Sequence, residues 1–137
     1  MNAVLDASVV AKMLFYEEGT ELVQELLANI QELYQPAIFP IEMNAIISKK
    51  YRIREIDLEI AELKHEELKQ HEFELITHAL ILDKAFEITT QLPVSYYDAL
   101  YVATAVFTES TLYTADERLV RGLSTTKLSK YVKSVYG

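Results

Sequence analysis

The chain has 137 residues, 50% of them apolar, which predicts one globular domain over residues 1–137 and excludes a disordered chain. The absence of cysteine excludes disulfides and thiolate metal sites, and no apolar run is long enough to cross a bilayer. The formal net charge of −8 argues against broad, non-specific nucleic-acid binding, which needs a basic surface.

The N-terminal residues MNAVLDASVV lack a basic segment, so we expect no signal peptide and a soluble, cytoplasmic protein. Apolar patterning and turn residues predict strands at residues 2–5, 34–39, 72–77, 111–114 and 131–135, the last at a sheet edge. Helices are predicted from Ser8 through Phe15, behind an N-cap at Thr20, from Pro40 to about Tyr51, after Asp57, over residues 79–90, after Ser95, and from Asp116 to near Gly122.

The helix after Asp57 is expected to bury Ile60 and Leu63. Strands that alternate with helices predict an α/β protein whose mainly parallel sheet carries helices on both faces. In such sheets, ligands bind beyond the carboxyl ends of the strands. The residues that follow each predicted strand are therefore the first place to look for a functional site.

Four carboxylates lie at predicted strand ends or helix starts, namely Asp6, Glu42, Asp98 and Asp116. Each is flanked by strongly apolar residues, and an acid beside a buried apolar run is costly unless something pairs with it. Clustered carboxylates also repel one another unless a cation neutralises them. Because ligand sets made only of oxygen suit Mg²⁺ or Mn²⁺, we expect one of these ions to be the shared partner.

Each carboxylate also has a structural explanation. Asp6 can form an Asx-turn or cap the next helix, and Glu42 is favourable near a helix N-terminus. Ser95 and Asp98 have the spacing of a capping box, and Asp116 is a good N-cap. The expected position of all four acids at one end of one sheet favours a joint role.

Two hydroxyls near these acids are candidate supporting residues. Ser8 and Thr114 can orient a carboxylate or a metal-bound water, or serve as an ordinary cap and strand hydroxyl. The charge distribution also contains two basic stretches that can coexist with the overall acidity. These are Lys49, Lys50, Arg52 and Arg54 in the first, and Arg118, Arg121, Lys127, Lys130 and Lys133 in the second.

Four segments together resemble the PIN domain, and more narrowly the VapC-like toxins of type II toxin–antitoxin pairs. They are VLDASVVAKML followed by EEG, then PAIFPIEMNAI, YYDALYVATA and TADERLV. The similarity runs from Val4 to about Leu123, and the acids occur in the family's order. The family often carries Asn three residues after its Glu; here Ala45 holds that position, with Asn44 one residue earlier.

The resemblance implies a PIN-like, three-layer α/β/α sandwich and an Mg²⁺- or Mn²⁺-dependent endoribonuclease. Asp6, Glu42, Asp98 and Asp116 match the family's acidic quartet. We expect the three aspartates to ligate metal, directly or through water, and Glu42 to bind a second ion or position the attacking water. The implied partners are an RNA substrate, a small antitoxin protein and a second copy in a homodimer, with no membrane.

Other protein classes fit less well. A haloacid-dehalogenase-type phosphatase needs a second Asp where Ser8 stands. A response-regulator receiver domain needs an Asp after the third strand, where Thr77 and His78 follow. The remaining alternative is a PIN-like RNA-processing or RNA-binding protein with weak or no nuclease activity, although the presence of all four acids argues against a dead site.

Overall fold

The computed structural model describes residues 1–137 and contains one five-stranded sheet. Its strands are β1 (Asn2–Leu5), β2 (Glu32–Pro36), β3 (Glu74–Ile76), β4 (Thr111–Thr114) and β5 (Val132–Ser134). Their order across the sheet is β3-β2-β1-β4-β5, and every neighbouring pair is parallel. Strands β2 and β3 therefore extend the sheet from one side of β1, and β4 and β5 extend it from the other side.

Seven α-helices connect these strands, and a 3-10 helix (Lys127–Tyr131) precedes β5. The helices are α1 (Ala7–Leu14), α2 (Thr20–Leu27), α3 (Phe39–Arg52), α4 (Leu58–Gln70), α5 (His78–Gln91), α6 (Tyr96–Thr108) and α7 (Glu117–Leu123). Right-handed crossovers place α1 to α4 on one face of the sheet and α5 to α7 on the other. The contacts of α1 with α2, α3 and α4, and of α5 with α6, agree with this division.

The predicted α/β/α sandwich is therefore confirmed. No helix combines the length and apolar character needed to span a bilayer. The core is one cluster of 25 buried residues, and its centre is β1, where Val4 and Leu5 are fully buried. Because this central strand is covered on both faces, its sequence is a continuous apolar run rather than an alternating one. Asp6 therefore directly follows a fully buried part of the core.

Several predicted boundaries shift by a few residues. The second strand ends at Pro36 rather than at residue 39, because Ile38 already has helical backbone angles and Pro40 lies in the first turn of α3. Helix α1 begins at Ala7 with Asp6 as its N-cap, instead of opening at Ser8. Helix α2 includes Thr20, and its N-cap is a glycine with a φ of 94°.

The expected buried face of α4 is wrong. Ile60 and Leu63 are 40% and 56% exposed, whereas Leu68 is 4% exposed and Ala61 is partly buried. Positions 61 and 68 lie two turns apart on one face, which is the face that packs towards α1 and α3. Because the main contacts of α4 are with α3 and α1 and not with the sheet, only a narrow stripe of it is buried.

Candidate functional site

Asp6 directly follows β1, and its carboxylate accepts hydrogen bonds from three groups. Its Oδ1 accepts hydrogen bonds from the Val9 amide at 3.1 Å and the Ser8 hydroxyl at 2.5 Å. Its Oδ2 accepts a hydrogen bond from the hydroxyl of Thr114, at the end of β4. The residue is only 8% exposed. Both predicted supporting hydroxyls, of Ser8 and Thr114, therefore contact Asp6.

Thr114 connects two of the predicted site residues. Its side chain is fully buried, and its Oγ1 accepts a hydrogen bond from the Asp116 amide at 3.0 Å while it donates to Asp6. Asp116 caps α7, accepting from the amides of Arg118 at 2.9 Å and Leu119 at 3.4 Å through Oδ1. The ends of β1 and β4 are neighbours at the point where the strand order reverses, where α/β sheets bind ligands.

Asp98 lies in the first turn of α6, as predicted. Ser95 is the N-cap of this helix, and its hydroxyl accepts a hydrogen bond from the Asp98 amide at 3.1 Å. The Asp98 side chain lines a cleft of about 290 Å³ together with Asp116, Ser95 and Arg118. The cap thus fixes where α6 starts, and the start of α6 places Asp98 opposite Asp116.

Glu42 lies in the first turn of α3 and is half-buried. Its Oε1 is buried without a hydrogen-bond partner, and so is the hydroxyl of Tyr101 on α6. The Tyr101 hydroxyl is close enough to lower the pKa of Glu42, but the two groups do not meet the geometry of a hydrogen bond. Two adjacent buried oxygens are therefore left unsatisfied, which is rare in a folded protein and costs free energy.

The site carboxylates form one electrostatic unit. Burial is the main cause that raises the pKa of Asp6, and the charge of Asp98 raises it further. Burial also raises the pKa of Glu42, as do Asp98 and Asp6. The pKa of Asp98 is raised by burial and by Asp116, against the opposing effects of the Ser95 hydroxyl and Arg118. None of the five ion pairs in the structure includes any of the four acids.

The family model of the PIN domain matches residues 3–122. This chain belongs to the PIN domain family. The match covers the same part of the sequence as the four motifs, so the predicted resemblance is confirmed. No curated protein matches the sequence of this PIN domain significantly.

Solved structures with the same fold include a toxin–antitoxin complex from Klebsiella pneumoniae, with 15% identity, coverage of 98% of both chains and a TM-score of 0.69. FitAcB from Neisseria gonorrhoeae has 17% identity, covers 98% of both chains and gives a TM-score of 0.71. VapBC2 from Rickettsia felis, bound to a DNA fragment from its promoter, has the same identity, coverage and TM-score. At these identities the likeness is one of fold.

The four acids, Asp6, Glu42, Asp98 and Asp116, form an open rim at the carboxyl ends of the strands and do not surround an enclosed site. Nowhere do three His, Asp or Glu side chains come close enough to make a ready-made metal-binding group. The chemistry of the rim nevertheless fits a hard divalent cation. All of its donors are oxygens, three of its acids have raised pKa values and belong to no ion pair, and Glu42 holds a buried oxygen without a hydrogen bond. Contacts through water suit such an open arrangement.

Tyr101 and Arg118 were not predicted as site residues. Tyr101 lies three residues after Asp98 on α6, so the i,i+3 rule would place both on neighbouring helix positions. Arg118 follows the α7 cap by two residues and lines the cleft. Ala45 holds the position where the family often carries Asn, and Asn44 does not take that role. The Asn44 side chain instead bonds to the Pro40 carbonyl at 2.9 Å and to His65 Nδ1 at 2.6 Å.

Proposed function

We propose that this PIN domain is an endoribonuclease that depends on Mg²⁺ or Mn²⁺ and that acts as a single domain over residues 1–137. The observation that carries the proposal is the position of Asp6 and Asp116 at the ends of adjacent strands β1 and β4, with Asp98 and Glu42 electrostatically coupled to them. Uncompensated acids at a sheet switch point are expensive for folding, so a cation-dependent function accounts for their presence.

Each residue has a proposed role. Asp6, Asp98 and Asp116 hold the cation, directly or through water, and Glu42 holds a second ion or orients the attacking water through its free Oε1. A divalent cation held by these residues would lower the pKa of a water molecule and would neutralise negative charge on the phosphate. Ser8 and Thr114 keep the Asp6 carboxylate from rotating, and Ser95 fixes the helix start that presents Asp98.

A cleavage assay tests this function. A panel of structured and single-stranded RNAs is incubated with Mg²⁺, Mn²⁺ or EDTA, and wild type is compared with Asp98→Asn. We expect cleavage that requires the cation and disappears in Asp98→Asn. Equal cleavage by both proteins would place the activity elsewhere. Metal-dependent RNA binding without any cleavage would favour an RNA-processing or RNA-binding role over a nuclease.

We further propose that the chain is the toxin of a toxin–antitoxin pair, with a small antitoxin as its partner, a homodimeric state and a cytoplasmic location. The support is the PIN fold shared with proteins whose structures were solved as toxin–antitoxin complexes. In a bacterial host, expression of wild type should arrest growth, whereas Asp98→Asn should not. Growth arrest by both, or by neither, would contradict the toxin role.

A further inference from the structure

The C-terminal part of the chain has a charge that its overall composition does not predict. Residues 118–133 contain five bases and no acid, in a chain with a net charge of −8. This stretch forms most of α7, the 3-10 helix and the start of β5. The proposed chemistry uses only the acids next to it, so the concentration of positive charge has no role yet.

Two depressions lie next to each other along this stretch. The first is the cleft that contains Asp98 and Asp116. The second has a volume of about 370 Å³ and is lined by Lys84, Glu87, Ile88, Gln91, Leu92, Thr126, Lys127 and Leu128. On one wall they meet at consecutive residues, because Leu92 lines the second and Pro93 lines the first.

On the opposite wall, α7 links the two depressions. Arg118, in its first turn, lines the first, and Thr126, just beyond its end, lines the second. A seven-residue helix is about 10 Å long, so the two lie roughly that far apart. We refer to these two adjacent depressions together as the groove, which starts at the carboxylates and ends between α5 and the 3-10 helix.

The bases in this groove are available to an anion. Arg118 and Lys127 are exposed and belong to none of the five ion pairs, although Arg118 lies beside two acids. Lys84 pairs with Glu87 at 3.6 Å, so that pair is close to neutral. The second depression therefore carries one unpaired positive charge, that of Lys127. A guanidinium fork and an ammonium group at this separation suit phosphates at two points along a strand.

We infer that this groove binds the phosphate backbone of single-stranded RNA on one side of the bond to be cut, with Arg118 nearest the carboxylates and Lys127 farther along. The inference rests on the proposed function, because the carboxylates define one end of the path. Contacts with phosphates hold and orient a strand without reading its sequence. The groove thus supplies local affinity for phosphates despite the net negative charge of the protein.

An acidic segment of a partner protein would be attracted by the same bases. The groove, however, opens directly onto the acidic rim, where the proposed reaction places a phosphodiester. Because the groove adjoins the carboxylates, we favour a nucleic-acid strand over an acidic peptide as its ligand.

The test uses Lys127→Gln, combined with Asp98→Asn to prevent cleavage. Lys130→Gln is the matched control, because Lys130 lies on the same 3-10 helix, loses the same charge and does not line the groove. Its ammonium lies over the Tyr131 ring at 5.2 Å. Binding of a labelled single-stranded RNA of about 12 nucleotides is measured by fluorescence anisotropy in Mg²⁺ over a range of salt concentrations.

Loss of one phosphate contact should make the slope of log affinity against log salt shallower by about 0.7. The affinity advantage of the Asp98→Asn parent over the Lys127→Gln variant should then shrink about 2.6-fold between about 50 and 200 mM salt. The loss should be the same for RNAs of different sequence, and Lys130→Gln should keep the parent slope. Equal slopes for the two lysine variants, or no RNA binding by the parent, would overturn the inference.

A cleavage assay on the single lysine variants separates this inference from the proposed function. If wild type cleaves RNA and Lys127→Gln behaves like Lys130→Gln in both assays, the groove assignment fails while the nuclease stands. If Lys127→Gln loses its salt-dependent contact but wild type never cleaves, the groove stands and the nuclease fails.

Discussion

At Asp98, the charge that the proposed cation binding needs is disfavoured by folding. Its pKa is raised in the folded protein by burial and by Asp116. A raised folded-state pKa means that the folded protein binds this proton more tightly than the unfolded chain does. The stability that follows is present below about pH 4 and is lost as the pH rises through the raised pKa.

We therefore expect Asp98→Asn to be more stable than wild type at pH 7 in EDTA, because the amide removes a charge that folding disfavours. The difference should close as the pH falls below about 4, where the wild-type carboxyl is protonated as well. Urea unfolding of both proteins across this pH range measures the effect. Higher stability of wild type at pH 7 in EDTA would mean that Asp98 is a favourable cap and not a strained ligand.

Tyr101 offers a second test at the level of one atom. Its hydroxyl is buried without a partner, so Tyr101→Phe removes an unsatisfied polar group. We expect the free energy of unfolding to stay constant or to rise by about 1 kcal/mol. Tyr96→Phe is the control, since the Tyr96 hydroxyl donates to the Leu82 carbonyl at 3.2 Å and its loss should cost up to about 1 kcal/mol. Destabilisation of Tyr101→Phe by more than the control would show that its hydroxyl is paired.

At this scale the positions of the acids at strand ends and helix starts were predictable from sequence, because each stands beside an apolar run; their role in the site stays a prediction. The two supporting hydroxyls were also predictable from their positions two residues from Asp6 and Asp116. The role of Thr114 as a bridge was not, since β1 and β4 are more than a hundred residues apart in sequence. Arg118 was missed because its position beside Asp98 depends on how α6 and α7 are brought together in the fold, which local sequence does not specify.

Thr114 also joins elements, because its hydroxyl binds both the Asp6 carboxylate and the Asp116 amide. Thr114→Val keeps the shape of the side chain and removes both bonds. We expect a loss of about 1–3 kcal/mol in stability, and a further loss of about 10- to 100-fold in metal affinity or activity. Urea unfolding and the metal-dependent cleavage rate measure the two effects separately.

Thr104→Val is the control for that substitution. Thr104 is equally buried, but its hydroxyl donates to the Leu100 carbonyl of its own helix, away from the acids. It should lose stability without a change in the metal requirement. If both variants lose activity in proportion to stability, the Thr114 bridge has no specific role in the site.

The corrected face of α4 gives a prediction at the level of one helix. Leu63 is largely exposed, so Leu63→Ala should change the free energy of unfolding by no more than about 0.5 kcal/mol. Leu68 is buried, and the same substitution there should cost about 2–5 kcal/mol. Chemical unfolding of the two variants decides between the faces. A larger cost at position 63 would mean that the helix is rotated towards the face predicted from sequence.

Elements with strong local signals were predicted well. Strand β4 has its predicted bounds, and α6 and α7 begin after their predicted caps. The face of α4 was not predictable, because its apolar residues occur on both sides and only its neighbours decide which side is covered. The second strand was placed too late because its apolar residues continue into the first turn of α3.

For the whole molecule, the alternation of strands and helices predicted a parallel sheet but not the order of its strands. The observed order places β1 beside β4, and this brings Asp6 next to the residues that precede Asp116. Charge is also distributed by the fold. The acidic residues 55–74 include α4, on one face of the sheet, and the basic residues 118–133 include α7, on the other. The α4 and α7 segments therefore carry opposite charge on opposite faces of the sheet.

The central claim is that Asp6, Glu42, Asp98 and Asp116 form one cation site. Calorimetric titration of the metal-free protein with Mn²⁺ tests it most directly, on wild type, Asp6→Asn, Asp98→Asn and Asp57→Asn. Asp57 caps α4, away from the rim, and serves as the control. We predict saturable binding by wild type and Asp57→Asn that is weakened or lost in the two site variants. Equal binding by all four proteins, or no binding by wild type, would contradict the account.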